Sequence, residues 1–99
     1  MTNRAVFNYG KMLFGQLFRL LRKRKGFTSQ QIADALHVSR STYSRYENDL
    51  KEVEPDFLLS VAEFYGTTVD DFLMWHAYMK SPDYPYNVHD LQNKGKLPK

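Results

Sequence analysis

Apolar positions fall in short helical stripes along the first eighty residues. Between Lys11 and Lys25 they recur at Phe14, Phe18 and Leu21, one face of a helix. Gly26 follows as a stop signal. Thr28-x-x-Gln31 has the spacing of a capping box and predicts a second helix, with Ile32, Ala33 and Leu36 turned inward. Val38 lies in a break of two or three residues, and Ser39 is placed as the N-cap of a third helix reaching about Asn48. Pro55 suits the first turn of a fourth helix. Its inward face is Leu58, Val61, Ala62 and Tyr65, and Gly66 ends it. Thr68-x-x-Asp71 caps a fifth helix carrying Val69, Phe72, Leu73 and His76 inward. No strand pattern precedes residue 80. The expectation is an all-α, compact five-helix domain over 11–79. A short segment, 1–10, precedes it, and an extended tail containing Tyr and Pro, 80–99, follows.

The third predicted helix has an unusual surface. Tyr43, Tyr46 and Glu47 share its inward side, whereas Ser41, Ser44, Arg45 and Asn48 point away, with Arg40 beside them. A solvated face more often mixes Glu with Lys at i,i+4 spacing. An Arg side chain can grip guanine O6 and N7 with two parallel bonds, and Ser or Asn can reach other base edges or phosphates. The outward side of this helix therefore has the chemistry of a surface that reads the major groove.

Composition sharpens the picture. The chain has 99 residues, 42% of them apolar and 15% aromatic, enough for one packed domain. It has no Cys, which excludes disulfides and thiolate metal sites and suits a reducing cytoplasm. No apolar run is long enough for a membrane span, and the opening MTNRAVFNYG lacks the order of a secretory signal. Charge is unevenly spread. Residues 1–26 hold seven Lys or Arg and no acid, whereas residues 50–79 hold one Lys and six acids. One end of the molecule should attract polyanions and the other repel them. The RKRK at 22–25 also suits the negative end of a helix dipole.

The strings LLRKRKGFTSQQIADALHVSRSTYSRYEND and LLSVAEFYGTTVDDFL together resemble the helix-turn-helix of the Cro/cI-type (Xre-like) phage and plasmid regulators. The similarity runs without gaps from about Phe14 to Leu73. It implies a lambda-repressor-like DNA-binding domain. Carried over by position, it implies that Arg40, Ser41 and Arg45 read bases, with Ser44 close to the base edges. Asn48 and Lys51 would hold phosphates, as would Ser29 at the start of the second helix, where many relatives have Gln. Arg22 and Glu47 would form the internal ion pair of the family. Two positions depart from its pattern. His37 stands where relatives usually have a turn Gly of positive φ, and Asp49 replaces a common Gly after the third helix.

Further apolar residues invite a second surface. Leu13, Leu17 and Leu20 form an additional stripe on the first helix, and Trp75, Tyr78 and Met79 extend the fifth. Either the ends of the chain, including Tyr84 and Tyr86, fold back over them, or they form a homodimer interface matched to a palindromic double-stranded operator. The functional expectation is a cytoplasmic transcriptional regulator, a repressor by resemblance. A DNA-binding antitoxin with a toxin partner and a protein–protein module on the same fold stay open as alternatives. The residues supply no catalytic constellation, no metal site and no cofactor motif, and His37, His76 and His89 are scattered. The expectation is a protein that is not an enzyme.

Overall fold

The computed structural model describes residues 11–80. Five helices are present among them: α1 (Gly15–Lys25), α2 (Ser29–Ala35), α3 (Arg40–Glu47), α4 (Pro55–Phe64) and α5 (Val69–Met79). No described residue is in a strand, and no described helix is long and apolar enough to cross a membrane.

The expected caps are in place. Thr28 Oγ1 accepts from the Gln31 amide at 3.0 Å, and the Thr28 amide donates to Gln31 Oε1 at 2.8 Å, closing both halves of the box. Ser39 Oγ accepts from the Thr42 amide and Thr68 Oγ1 from the Asp71 amide, each at 3.0 Å. The Asp71 carboxylate is turned to the Thr67 hydroxyl, 3.0 Å away, instead of completing a box with Thr68.

Helix α1 begins at Gly15, four residues later than the apolar pattern predicts. The backbone of Met12 is engaged sideways: its amide donates to Glu52 Oε1 at 3.0 Å, and its carbonyl accepts from the Val53 amide at 2.8 Å. A residue paired laterally in this way has no groups left for a helical ladder.

Four helix ends share one closure, in which an amide bonds the carbonyl five residues back and the preceding residue has positive φ. The bonds run from Phe27 to Arg22 (3.0 Å), Val38 to Ala33 (3.0 Å), Leu50 to Arg45 (2.8 Å) and Thr67 to Ala62 (2.9 Å). Gly26 and Gly66 supply the left-handed residue at two of them, with φ of 78° and 73°. His37 (φ 62°) and Asp49 (φ 60°) supply it at the others. The two departures from the family pattern thus occupy the positive-φ sites where glycine is the usual choice.

The core lies between α1 and its neighbours α3 and α5, with α2 packed on α3 and α4 on α5. Phe18 is near its centre, its ring centroid 6.2 to 6.5 Å from those of Phe14, Tyr43, Phe57 and Phe72. Leu58, Val61, Ala62 and Tyr65 are buried as expected, and Val53 in the α3–α4 connection joins them.

Three residues expected on a second apolar surface belong to the core. Leu17 and Trp75 are 1% exposed and Met79 is 7% exposed, all within the core cluster. The Trp75 ring lies 5.5 Å from that of Phe72, and Leu17 borders a narrow crevice of about 40 Å³ with His76 and Met79. Because α1 is covered on two sides, its apolar stripe is wider than one face. The extra leucine is core, not free surface. Leu13, Leu20 and Tyr78 are half-buried. Tyr84 and Tyr86 lie outside the described residues.

Candidate nucleic-acid interface

Helix α3 is held chiefly from its inner side among the described residues. The Arg22 guanidinium, carried by α1, meets Glu47 through two parallel bonds, Nε to Oε2 at 2.8 Å and Nη2 to Oε1 at 2.9 Å. Its Nη1 donates to the Phe27 carbonyl at 3.1 Å. Tyr43 Oη donates to Glu47 Oε2 at 2.6 Å, a contact that the sequence pattern does not reveal. The Arg22–Glu47 pair therefore joins α1, α3 and the α1–α2 turn. Burial by itself would raise the Glu47 pKa, but the bonds from Arg22 and Tyr43 outweigh it and the net shift is downward. The same Glu47 bond raises the Arg22 pKa against the effect of burial. Burial and Glu47 together push the Tyr43 hydroxyl well above its ordinary range.

A second clamp holds the far end of α3. Tyr46 Oη donates to Glu54 Oε1 at 2.6 Å, and Lys51 Nζ donates to Glu54 Oε2 at 3.0 Å. The two bonds bring Glu54 down to about 2. Burial and the bond to Glu54 push Tyr46 up to about 12. Lys51 also sits over the Tyr46 ring, 5.4 Å from its centroid.

The outward side of α3 is different. Arg40, Ser41 and Arg45 are exposed, and Ser44 is half-buried among them. Neither the Arg40 nor the Arg45 guanidinium is tied by a hydrogen bond or ion pair to another described residue, whereas Arg22, Arg19 and Lys51 all have acidic partners. Two uncommitted guanidinium groups on a helix anchored from behind can reach a groove without unmaking the fold.

The phosphate candidates divide. Ser29 is half-buried in the first turn of α2, with no side-chain bond to another described residue. Lys51 is paired with Glu54 as above. Asn48 is exposed but already employed: Arg19 Nη2 donates to its Oδ1 at 2.8 Å, and its Nδ2 donates to the Ser44 carbonyl at 2.9 Å and to Ser44 Oγ at 3.1 Å. Arg19 is the residue that sequence reasoning missed. It lies one turn before Arg22 on α1, and that i,i+3 spacing was the available signal. Asp49, which stands in place of the common Gly after this helix, turns its carboxylate to the Gly15 amide.

Comparison with known proteins agrees with this geometry. The helix-turn-helix domain family matches residues 13–73. The chain is 36% identical over 63 residues to a competence pilus inhibition repressor of Acinetobacter baylyi, covering 64% of this chain and 57% of that one. It is 28% identical over 83 residues to the HTH-type transcriptional regulator ImmR of Bacillus subtilis, covering 84% of this chain and 61% of that one. It thus spans about three fifths of the length of these curated relatives. Among solved structures it is similar to the clp gene regulator ClgR from Corynebacterium glutamicum. The TM-score is 0.64 at 33% identity, with 70% of this chain and 90% of that chain covered. The chain belongs to the helix-turn-helix domain family, and the resemblance to Xre-like regulators holds.

Proposed function

We propose that the protein binds double-stranded DNA sequence-specifically, with α3 in the major groove, and regulates transcription from the cytoplasm. The carrying observation is the contrast on α3: Arg40 and Arg45 are exposed with no hydrogen bond or ion pair to a described residue, while the charged residues behind them are paired. Arg40, Ser41, Ser44 and Arg45 are the proposed base readers. Ser29, Asn48 and Lys51 are the proposed phosphate contacts. Asn48 and Lys51 already hold protein partners, so a phosphate gains either one only by exchange, with little net affinity. Repression is the favoured outcome, in keeping with the name of the Acinetobacter relative. Two copies on a palindromic site is the proposed assembly, because two-fold symmetry presents α3 to half-sites about one helical turn apart.

Selection from random duplex DNA at physiological salt tests this reading. The expected result is a palindromic consensus that disappears for the Arg40→Ala/Arg45→Ala double variant. Salt-sensitive binding with no enriched sequence would overturn it.

A further inference from the structure

We infer that Arg19 and Asn48 fix the hydrogen-bonding polarity of Ser44, so that its hydroxyl meets DNA as a donor and selects a base with an acceptor edge. The inference rests on α3 lying in the major groove and on Asn48 keeping its protein bonds there instead of exchanging them for a phosphate.

The chain of bonds allows one orientation. A guanidinium has donors only, so the Asn48 atom facing Arg19 Nη2 at 2.8 Å must be its carbonyl oxygen. A backbone carbonyl accepts only, so the Asn48 atom 2.9 Å from the Ser44 carbonyl must be the amide nitrogen. Turning the amide over would set donor against donor at one end and acceptor against acceptor at the other. The same Nδ2 reaches Ser44 Oγ at 3.1 Å, which makes that oxygen an acceptor toward the protein. Arg19 is itself steadied by Glu47, its Nε 3.5 Å from Oε1.

The Ser44 hydroxyl then has one proton to donate. A helical serine often gives that proton to the carbonyl four residues back, as Ser60 does to Asp56 at 3.2 Å. Ser44 makes no such bond, and no described residue accepts its proton. It lies between Arg40 and Arg45 on the outward side of α3. In the major groove the acceptors are purine N7, guanine O6 and thymine O4, and the donors are cytosine N4 and adenine N6. An acceptor edge uses the proton, whereas a base amino group can use only the remaining lone pair and leaves the proton to water. The preference is therefore graded, for guanine or thymine over cytosine at one position. Arg19 and Asn48 are positioning residues in this scheme.

The test is selection from random duplex DNA with the full chain and its variants, alongside thermal melts to verify folding. Ser44→Ala locates the position by losing its preference there. Asn48→Asp keeps an acceptor for Arg19 and removes the donor shared by the Ser44 carbonyl and hydroxyl. The carboxylate, repelled by that carbonyl, is left the Ser44 hydroxyl proton as its partner, so the hydroxyl turns its lone pairs outward. The expected result is a switch at that position toward cytosine or adenine, with weaker binding overall because the added acid faces phosphates, and with the base preferences at the other positions retained. Arg19→Ala should reduce discrimination there about two- to fivefold, and Arg19→Lys should restore most of it. A wild-type consensus that Asn48→Asp and Arg19→Ala leave unchanged in base preference, altering only overall affinity, would overturn the inference alone. No wild-type consensus would overturn both it and the DNA-binding reading beneath it.

Discussion

Gly15 donates its amide to Asp49 Oδ1 at 2.9 Å, which joins the first turn of α1 to the residue that ends α3. The bond satisfies an amide that has no helical partner and places a carboxylate at the positive end of the α1 dipole. The approach is close: a Cβ on Gly15 would stand 2.3 Å from the Glu47 carbonyl oxygen and 2.6 Å from Asp49 Oδ1. Gly15→Ala must therefore push two backbones apart. It should destabilise the fold by about 1–3 kcal/mol, with a lower Tm in a thermal melt.

His37→Gly and Asp49→Gly should behave differently although both sites have positive φ. His37 is exposed and no bond to another described residue holds its side chain, so glycine there relieves left-handed strain of about 1 kcal/mol. Asp49→Gly relieves the same strain but removes the cap on Gly15. A raised Tm for His37→Gly and little change or a loss for Asp49→Gly is the expected pair of melts.

Removing the Glu47 carboxylate should be the most damaging polar change. Glu47→Ala leaves the Arg22 guanidinium, with its side chain 15% exposed, facing the Phe27 carbonyl and no acid. Loss of one partner from a buried pair costs about 3–5 kcal/mol, measurable by denaturant unfolding. The pH dependence follows from the direction of the Glu47 shift. Its folded pKa lies below the unfolded value of 4.5, so this stabilisation is fully present above that value. It is lost as pH falls through the folded value.

His76 should make stability sensitive at milder acidity. Burial lowers its pKa, the Lys80 charge lowers it further and the Asp49 charge opposes them. Its ring lies 4.3 Å from that of Phe14, and its Nε2 is buried without a hydrogen-bond partner among the described residues. The unfolded chain binds this proton first, so stability falls as pH drops below about 6.5. It stops falling below the folded pKa. Denaturation midpoints taken between neutral pH and pH 5 should show the loss, and His76→Leu should flatten it.

Arg45→Ala and Lys51→Ala should separate reading from holding. The arginine change should remove about 1–3 kcal/mol of discrimination at one base position. The lysine change should weaken all sequences alike and flatten the salt dependence. Its effect should be small because DNA must first displace Glu54. Titrations of a selected and a scrambled duplex across several salt concentrations distinguish the two.

Much of this architecture was legible from local signals. Thr28, Ser39, Thr68 and the glycines at 26 and 66 act over three or four residues, so their spacing is visible in the chain. The inner and outer sides of α3 were legible for the same reason. The start of α1 was not, because it depends on the pairing of Met12 with Glu52 and Val53, some forty residues away. The burial of Leu17 and Trp75 was missed because periodicity shows that a side chain is apolar, not how many neighbours cover its helix. The Arg19–Asn48 bond spans 29 positions between two exposed residues and leaves no apolar trace.

Every described bond that anchors α3 to the rest of the domain by way of its own side chains passes through Tyr43, Tyr46, Glu47 or Asn48. None passes through Arg40, Ser41 or Arg45. Among the described residues, the side-chain anchors and the outward guanidinium groups thus belong to different residues of this eight-residue helix and its C-cap. Exchanging those three outward positions should therefore leave the melting temperature where it is, and on the proposed reading it would change the operator.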